Sequence, residues 1–348
     1  MIDLRSDTLS KPSKEMRKAM YEAETGDDGR IDSFGRSEDP TVRRLEDLSA
    51  EISGHEAALF CNSGTMANYI AILTHEAQRG DSILTDRSSH ISRSEKGLFM
   101  EHLFGLTPEF YPVDDHGIPD SDAIENIVKN GQSRLLLLEN THNAYGGTCI
   151  SVSKMKKLCA IAHLYSAPVH LDGARIFNAA AYFDIDVKAL TSPADSMMFC
   201  LSKGLGAPVG SMLCGNRDFI YRARKLRKIL GGSMRQAGVI AAAGIVALED
   251  AVEKSKVDHE NALYLARNIN TEYMKIDVDA VQTNIIIADI SSSGRSAAHL
   301  VNELEQKGLR LQAISDTKVR MATYKDISAE EIKKTVSIIN NYFNNKYL

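Results

Sequence analysis

The stretch FCLSKGLGAPVGS, residues 199–211, sets one long cationic side chain, Lys203, between an apolar run and a series of small residues. A lysine at a strand end, partly desolvated and open to close approach, is suited to attack a carbonyl carbon, because desolvation frees its lone pair. A P-loop does not fit, since G-x-x-x-x-G-K-[ST] places the lysine after the glycines. Alone, the segment reads equally well as a surface lysine in a flexible glycine turn. Three other stretches change that balance. HLDGAR (170–175) closes an apolar run with an acid, Asp172, and a base, Arg175. NSGTMAN (62–68) is a small polar turn opening a helical pattern, which offers free backbone N–H groups to a phosphate. SSHIS carries an isolated histidine, His90.

Pyridoxal phosphate requires a lysine, an acid facing its ring nitrogen, a phosphate cradle and a group flat against its ring. Lys203, Asp172, the Ser63-Gly64-Thr65 turn and His90 meet those needs in turn. Each also has a plainer reading: a helix N-cap for Asp172, an ordinary helix start for the turn, a polar loop for His90. Their order and contexts agree.

The elements that would position them are short apolar runs at 57–62, 82–86, 134–140, 167–172, 196–202 and 209–215. These are too continuous for half-exposed strands and too short for helices, so they suit a buried, mostly parallel sheet. Helical spacing at 66–80 and 151–166 alternates with them, which argues for an α/β layered domain. Past residue 245 the rhythm changes to a long helical stretch, broken near Lys256, then strands at 283–290, LRLQAIS and KVRMATY, and a last amphipathic helix over 328–346. The expected division is a large domain over 1–249 and a smaller C-terminal α/β domain over 250–348. GDDGRIDSFGRSEDP (26–40) reads as an exposed loop.

The 348 residues are 43% hydrophobic and 25% charged with net charge −5, an ordinary balance that lowers the expectation of a nucleic-acid partner. No apolar run approaches the roughly 18 residues of a membrane span. Five scattered cysteines without a C-x-x-C pair read as reduced core thiols, so neither disulfides nor a metal site is expected. The opening residues are polar and charged from the third onward, unlike a secretory leader. The expected location is cytoplasmic.

Taken together, the blocks IDLRSDT, EDPTVRRLE, ALFCNSGTMAN, LENTHNAYGG, HLDGARIFNAA, LSKGLGAPVGS and LGGSMRQAG resemble the threonine aldolase family. That family lies within the aromatic amino acid β-eliminating lyase group of fold-type I, aspartate aminotransferase-like pyridoxal phosphate enzymes. The likeness covers most of residues 1–245, with a fainter match at QTNIII and VRMATYKDI. It implies cleavage of β-hydroxy-α-amino acids to glycine and an aldehyde, with β-elimination or racemization as the alternative on the same scaffold. It also implies roles. Lys203 would hold the cofactor as a Schiff base, with Ser202 beside it. Asp172 would pair with the ring nitrogen, and Arg175 would lie near the phenolic oxygen and the substrate carboxylate. Ser63, Gly64 and Thr65 would take the phosphate, and His90 would stack on the ring. Ser6 and Arg320 would bind the substrate carboxylate, and His142 would serve the β-hydroxyl. Arg235 would reach a neighbouring subunit's phosphate, which makes a homo-oligomer, a dimer of dimers, part of the expectation.

The chain departs from the family pattern in three places. The 26–40 segment is longer and carries Arg30, Asp32 and Arg36. Ser94 stands where an aromatic residue usually precedes the glutamate, with Arg93 and Lys96 nearby. Tyr324 replaces a histidine. An enlarged, more cationic pocket mouth is one expectation from these differences; neutral surface variation is the other.

Overall fold

The computed structural model describes residues 1–75, 77–131 and 133–347. In chain order the strands are β1 (Ile2–Asp3), β2 (Ala57–Cys61), β3 (Ser82–Asp86), β4 (Thr107–Tyr111), β5 (Ser133–Glu139), β6 (Val169–Asp172), β7 (Ser196–Cys200), β8 (Ser211–Gly215), β9 (Lys275–Ile276), β10 (Ile285–Asp289), β11 (Leu309–Arg310), β12 (Gln312–Ala313) and β13 (Lys318–Ala322).

Seven of them form one sheet in the order β2-β8-β7-β6-β5-β3-β4. Pairing is parallel from β7 through β4, while β8 runs antiparallel to both of its neighbours. The sheet is buried on both faces, which is why its strands read as unbroken apolar runs; β7 and β8 are buried at every residue. Helices Gly64–Thr74, Val152–Leu164 and Arg217–Ile229 are among those that cover it. This is the expected α/β architecture with a mostly parallel sheet.

A second, antiparallel sheet, β12-β13-β10-β9, builds the smaller unit with helices Ala297–Gln306 and Ala329–Tyr347. Its core gathers Ile286, Leu300, Leu309, Val319, Met321 and Phe343, together with Ile2 and Leu4 from the other end of the chain. β1 pairs in parallel with β11, so the first residues are stitched to the smaller unit. We propose the division at 249/250 as the boundary between the two cores, with β1 crossing it.

Three local expectations need correction. The helical stretch beyond 245 breaks at Glu249–Asp250, where Asp250 adopts φ +53, and not near Lys256, which lies inside helix Ala251–Asn268. β4 has no counterpart in the sequence reading. The 26–40 segment is not simply exposed: Asp28, Ser37 and Asp39 are buried, and Asp28 is ion-paired with Arg227 at 2.9 Å.

Candidate active site

All strands of the large sheet except β8 end on one edge, where α/β folds place their ligand crevice. A cavity of about 420 Å³ opens there. Ser63, Gly64 and Thr65 line it after β2, His90 after β3, Asp172 at the end of β6, and Ser202 and Lys203 after β7.

Lys203 sits in the β7–β8 hairpin, whose conformation depends on two glycines. Gly206 (φ +81) and Gly210 (φ +107) occupy left-handed regions, and side chains there would run into Lys325 and Phe60. These small residues therefore shape the hairpin, a packing reason in addition to the ligand approach that the sequence suggested. Ser10 Oγ donates to the Lys203 carbonyl at 2.6 Å and ties the N-terminal segment to the same turn.

The phosphate-type turn is capped by Ser63, whose Oγ accepts from Met66 N at 3.1 Å, while its carbonyl accepts from Ala67 N. The N–H groups of Gly64 and Thr65 are left without an intrahelical acceptor, as first-turn donors are. A Cβ on Gly64 would lie 3.0 Å from both Cys200 Sγ and Met198 Cε, so the turn is held close against β7.

Asp172 is 2% exposed, accepting from Asn68 Nδ2 at 3.0 Å and from Ala174 N at 3.0 Å. His90 is anchored twice: its N–H donates to Glu139 Oε2 at 2.6 Å, and its Nδ1 lies 3.1 Å from Glu95 Oε1. The Glu95 carboxylate raises the His90 pKa against the opposing effect of burial. One ring nitrogen of His90 and one carboxylate oxygen each of Glu95 and Asp172 lie within 4.8 Å of one another.

A second cluster forms beside Lys203. Arg175 is buried and makes a two-pronged pair with Asp7, Nε and Nη2 each donating at 2.6 Å, while Nη1 reaches Asn143 Oδ1 at 3.4 Å. Burial alone would raise the Asp7 pKa, but the charge and hydrogen bonds of Arg175 hold it down to about 2. Asn284 adds a donor at 3.2 Å. Arg320, on β13, brings the smaller unit to this corner. Its Nε is buried with no hydrogen-bond partner, and burial together with the nearby Arg175 charge pulls its pKa down to about 10. Ser6 caps the turn before Asp7, its Oγ accepting from Thr8 N at 3.2 Å.

Five expected residues do not line the cavity: Arg175, Ser6 and Arg320 belong to the neighbouring cluster, and His142 and Arg235 stand apart from both. His142 is 3% exposed behind the cavity wall, Nε2 on Asp86 Oδ2 at 2.7 Å. Burial opposes its charge, yet Glu139 and Asp86 together raise its pKa. Arg235 points outward, its side chain 69% exposed and paired with Asp27 at 3.0 Å. The departures are equally placed. Arg30 and Arg36 pair with Glu38 and Asp47, and Tyr324 is buried with its hydroxyl donating to the Asp3 carbonyl. None of these three lines the cavity.

Sequence reasoning missed Asp7, Asn68, Glu95, Glu139 and Asp86, the partners that hold the expected residues. Asn68 had a signal: it lies one helical turn after Gly64, on the helix that the turn opens. Asp7 and Asp86 meet their partners only through the fold, whereas Glu95 lies five residues after His90 and Glu139 three residues before His142.

Residues 3–293 match the beta-eliminating lyase family. The chain is 39% identical to low-specificity L-threonine aldolase 1 of Arabidopsis thaliana, over 97% of this chain and 94% of the relative. It is 37% identical to the low specificity L-threonine aldolase of Escherichia coli strain K12, over 97% and 98%. In backbone it is similar to the solved threonine aldolase of Leishmania major, with a TM-score of 0.80 at 17% identity, covering 98% and 99% of the two chains. That last likeness speaks to the fold.

Proposed function

The chain belongs to the beta-eliminating lyase family, and from that premise we propose that it is a pyridoxal phosphate-dependent aldehyde-lyase acting on β-hydroxy-α-amino acids. The products would be glycine and an aldehyde. The observation that carries this reading is the convergence of Lys203, Asp172 and the Gly64–Thr65 turn on one cavity, next to a corner where the half-buried Arg320 has a buried Nε without a partner.

The residues present fit the cofactor. The close-packed Gly64 turn has free N–H groups for a phosphate, Asp172 is a buried carboxylate acceptor, and Lys203 is held by its hairpin against the same space. When bound, pyridoxal phosphate supplies an aldehyde for amines and a ring that draws electrons from a bond at Cα. Lys203 would hold it and exchange protons with the substrate amine. Asp172 would keep a proton on the ring nitrogen. Arg175 and Arg320 would bind the substrate carboxylate, with Asp7 fixing the Arg175 fork and Ser6 shaping the turn that carries Asp7.

We assign proton transfer from the β-hydroxyl to the pair His90 and His142. Each ring has one nitrogen on a carboxylate, Glu95 or Asp86, which in the neutral form leaves the other nitrogen able to accept. His90 faces the cavity; His142, behind the wall, would act through a bridging water. Asp86 and Glu95 are positioning residues for this pair.

Two further parts of the reading concern the assembly and its surroundings. Arg235 is turned away from its own cavity, which supports a homo-oligomer, a dimer of dimers, in which it serves a neighbour's phosphate site. Five buried, unpaired thiols support a cytoplasmic setting. No helix among the described residues is long and apolar enough to cross a membrane.

The test is product identity. Protein loaded with pyridoxal phosphate is incubated with L-threonine, L-allo-threonine and phenylserine. Glycine and the matching aldehyde in equal amounts are expected. A keto acid with ammonia, or the opposite enantiomer, without glycine would assign β-elimination or racemization instead.

A further inference from the structure

Behind Asp172 runs a file of polar side chains, buried at Asn68, His170 and Ser196 and half-buried at His75, that the mechanism above does not use. The Asn68 amide, 1% exposed, donates to two carboxylates at once: Asp172 Oδ2 at 3.0 Å and Glu95 Oε1 at 3.1 Å. Carboxylates only accept, so the amide must turn its NH2 toward them, and its Oδ1 then faces the other way. There it meets His170 Nε2 at 3.1 Å, which must therefore carry a proton. A neutral His170 accepts at Nδ1, so Ser196 Oγ, 2.8 Å away, donates to it. Having used its only hydrogen, that hydroxyl accepts from His75 Nε2 at 2.7 Å. Every proton in the file points toward Asp172.

The reverse polarity is excluded by charge, since it would press the Asn68 carbonyl against two carboxylates. Burial keeps His170 neutral, its pKa pulled down to about 3, with His75 and His55 acting in the same sense and Asp172 against it. His75 is also drawn down by burial, to about 4; Asp195 and Arg222 are its charged neighbours. The backbone supports the alignment. His170 and Asp172 are two residues apart on β6 and so share a face, and His170 is in register with Ser196 on β7. Asn68 and His75 come from helix Gly64–Thr74 and its C-cap.

We infer that Asn68 and His170, continued by Ser196 and His75, form a one-way hydrogen-bonded relay that positions Asp172 for the cofactor's ring nitrogen and locks it to the Glu95–His90 pair. A single NH2 group sets the spacing between the acid that faces the ring nitrogen and the acid that steers the histidine on the ring. These are positioning residues. They reach the reaction through Asp172 and His90, and the inference rests on reading the cavity as a pyridoxal phosphate site.

The experiment loads wild type, Asn68→Ala, His170→Leu and His170→Gln with pyridoxal phosphate labelled with 15N in the ring. It records cofactor occupancy, the ring-nitrogen shift and kcat/KM. Wild type is expected to show a protonated pyridine nitrogen. Asn68→Ala and His170→Leu should move the shift toward neutral pyridine and lower kcat/KM roughly tenfold, the size of one charge-assisted hydrogen bond. His170→Gln keeps an amide donor and should recover most of both. A purely structural role would lower stability without moving the nitrogen shift. A wild-type shift and rate in Asn68→Ala would overturn the relay, even if His170→Leu failed to fold. Wild type that takes up no cofactor would overturn the reading of the cavity and the relay with it, whereas a loaded wild type with unaltered variants would overturn the relay alone.

Discussion

The floor of the cavity and its carboxylate corner are built on opposite principles. On the floor, Asp172, Asn68 and His90 each have a hydrogen-bond partner at 3.1 Å or less within the chain. At the corner, Asp7 answers Arg175, while Arg320 keeps a buried Nε without a partner. Although Glu95 Oε2 and Asn62 Oδ1 on the floor also lack partners, its Asp172, Asn68 and His90 are already oriented and would need little reorganisation when a ring enters, which is where electrostatic stabilisation is most effective. An unanswered guanidinium does the reverse. It costs stability while empty and favours an anion that enters. On the proposed function, the residues that would meet the cofactor are already set by the fold, and the charge of the substrate would complete the corner.

The largest effects should come from the floor. Asp172→Asn should retain cofactor and lose on the order of a thousandfold in kcat, since a neutral amide does not hold the ring proton. Cofactor absorbance with steady-state rates checks this, and near-normal rates in loaded protein would remove Asp172 from the ring-nitrogen role.

At the corner the two arginines should shift stability in opposite directions. Arg320→Gln should raise KM for the amino acid roughly ten- to a hundredfold, one charge-assisted contact, and should also raise the melting temperature of the substrate-free protein. Arg175→Gln should lower the melting temperature, because it leaves Asp7 buried and unpaired, at about 3–5 kcal/mol. Thermal scans of the two variants side by side decide it; equal shifts would mean the two arginines are equivalent.

A smaller effect concerns pH. A histidine must be neutral to accept the hydroxyl proton, and the pKa values of His90 and His142 are both raised. The acid limb of kcat/KM should therefore have its midpoint above the ordinary value of about 6.5, activity falling as pH drops through it. Glu95→Gln removes the carboxylate that raises His90 and should move that limb to lower pH. A limb that stays in place would assign the titration to His142. The smallest effect is on acid stability. The Asp7 pKa is depressed to about 2, so its pair with Arg175 stabilises fully above the unfolded value of about 3.9 and is lost as pH falls toward 2. Asp7→Asn should flatten the melting temperature over that window.

Much of the floor was legible in the sequence, and the corner much less so. Buried parallel strands announce themselves as apolar runs, which is why 82–86 and the five runs beside it fell within a residue or two of the strands. Their ends carry Asp172, Lys203 and the Ser63 turn, so locating the strands located the chemistry. β4 was not legible because Thr107, Pro108 and Glu109 make a partly polar edge. The break at Asp250 was missed because a left-handed aspartate leaves the helical spacing of its neighbours intact. Asp7 and Arg175 are 168 positions apart and Asn68 and Asp172 104, so no spacing rule pairs them. The arginines of the 26–40 segment suggest a cationic mouth, but Glu38 of the same segment and Asp47 of the helix that follows pair with them.

The most direct test of the central claim is the position of the cofactor itself. Protein loaded with pyridoxal phosphate is reduced with borohydride, digested and mapped by mass. One adduct of the cofactor's mass on Lys203 is the expected result, with Lys203→Ala showing neither adduct nor turnover. An adduct on another lysine, or turnover retained in Lys203→Ala, would contradict the account.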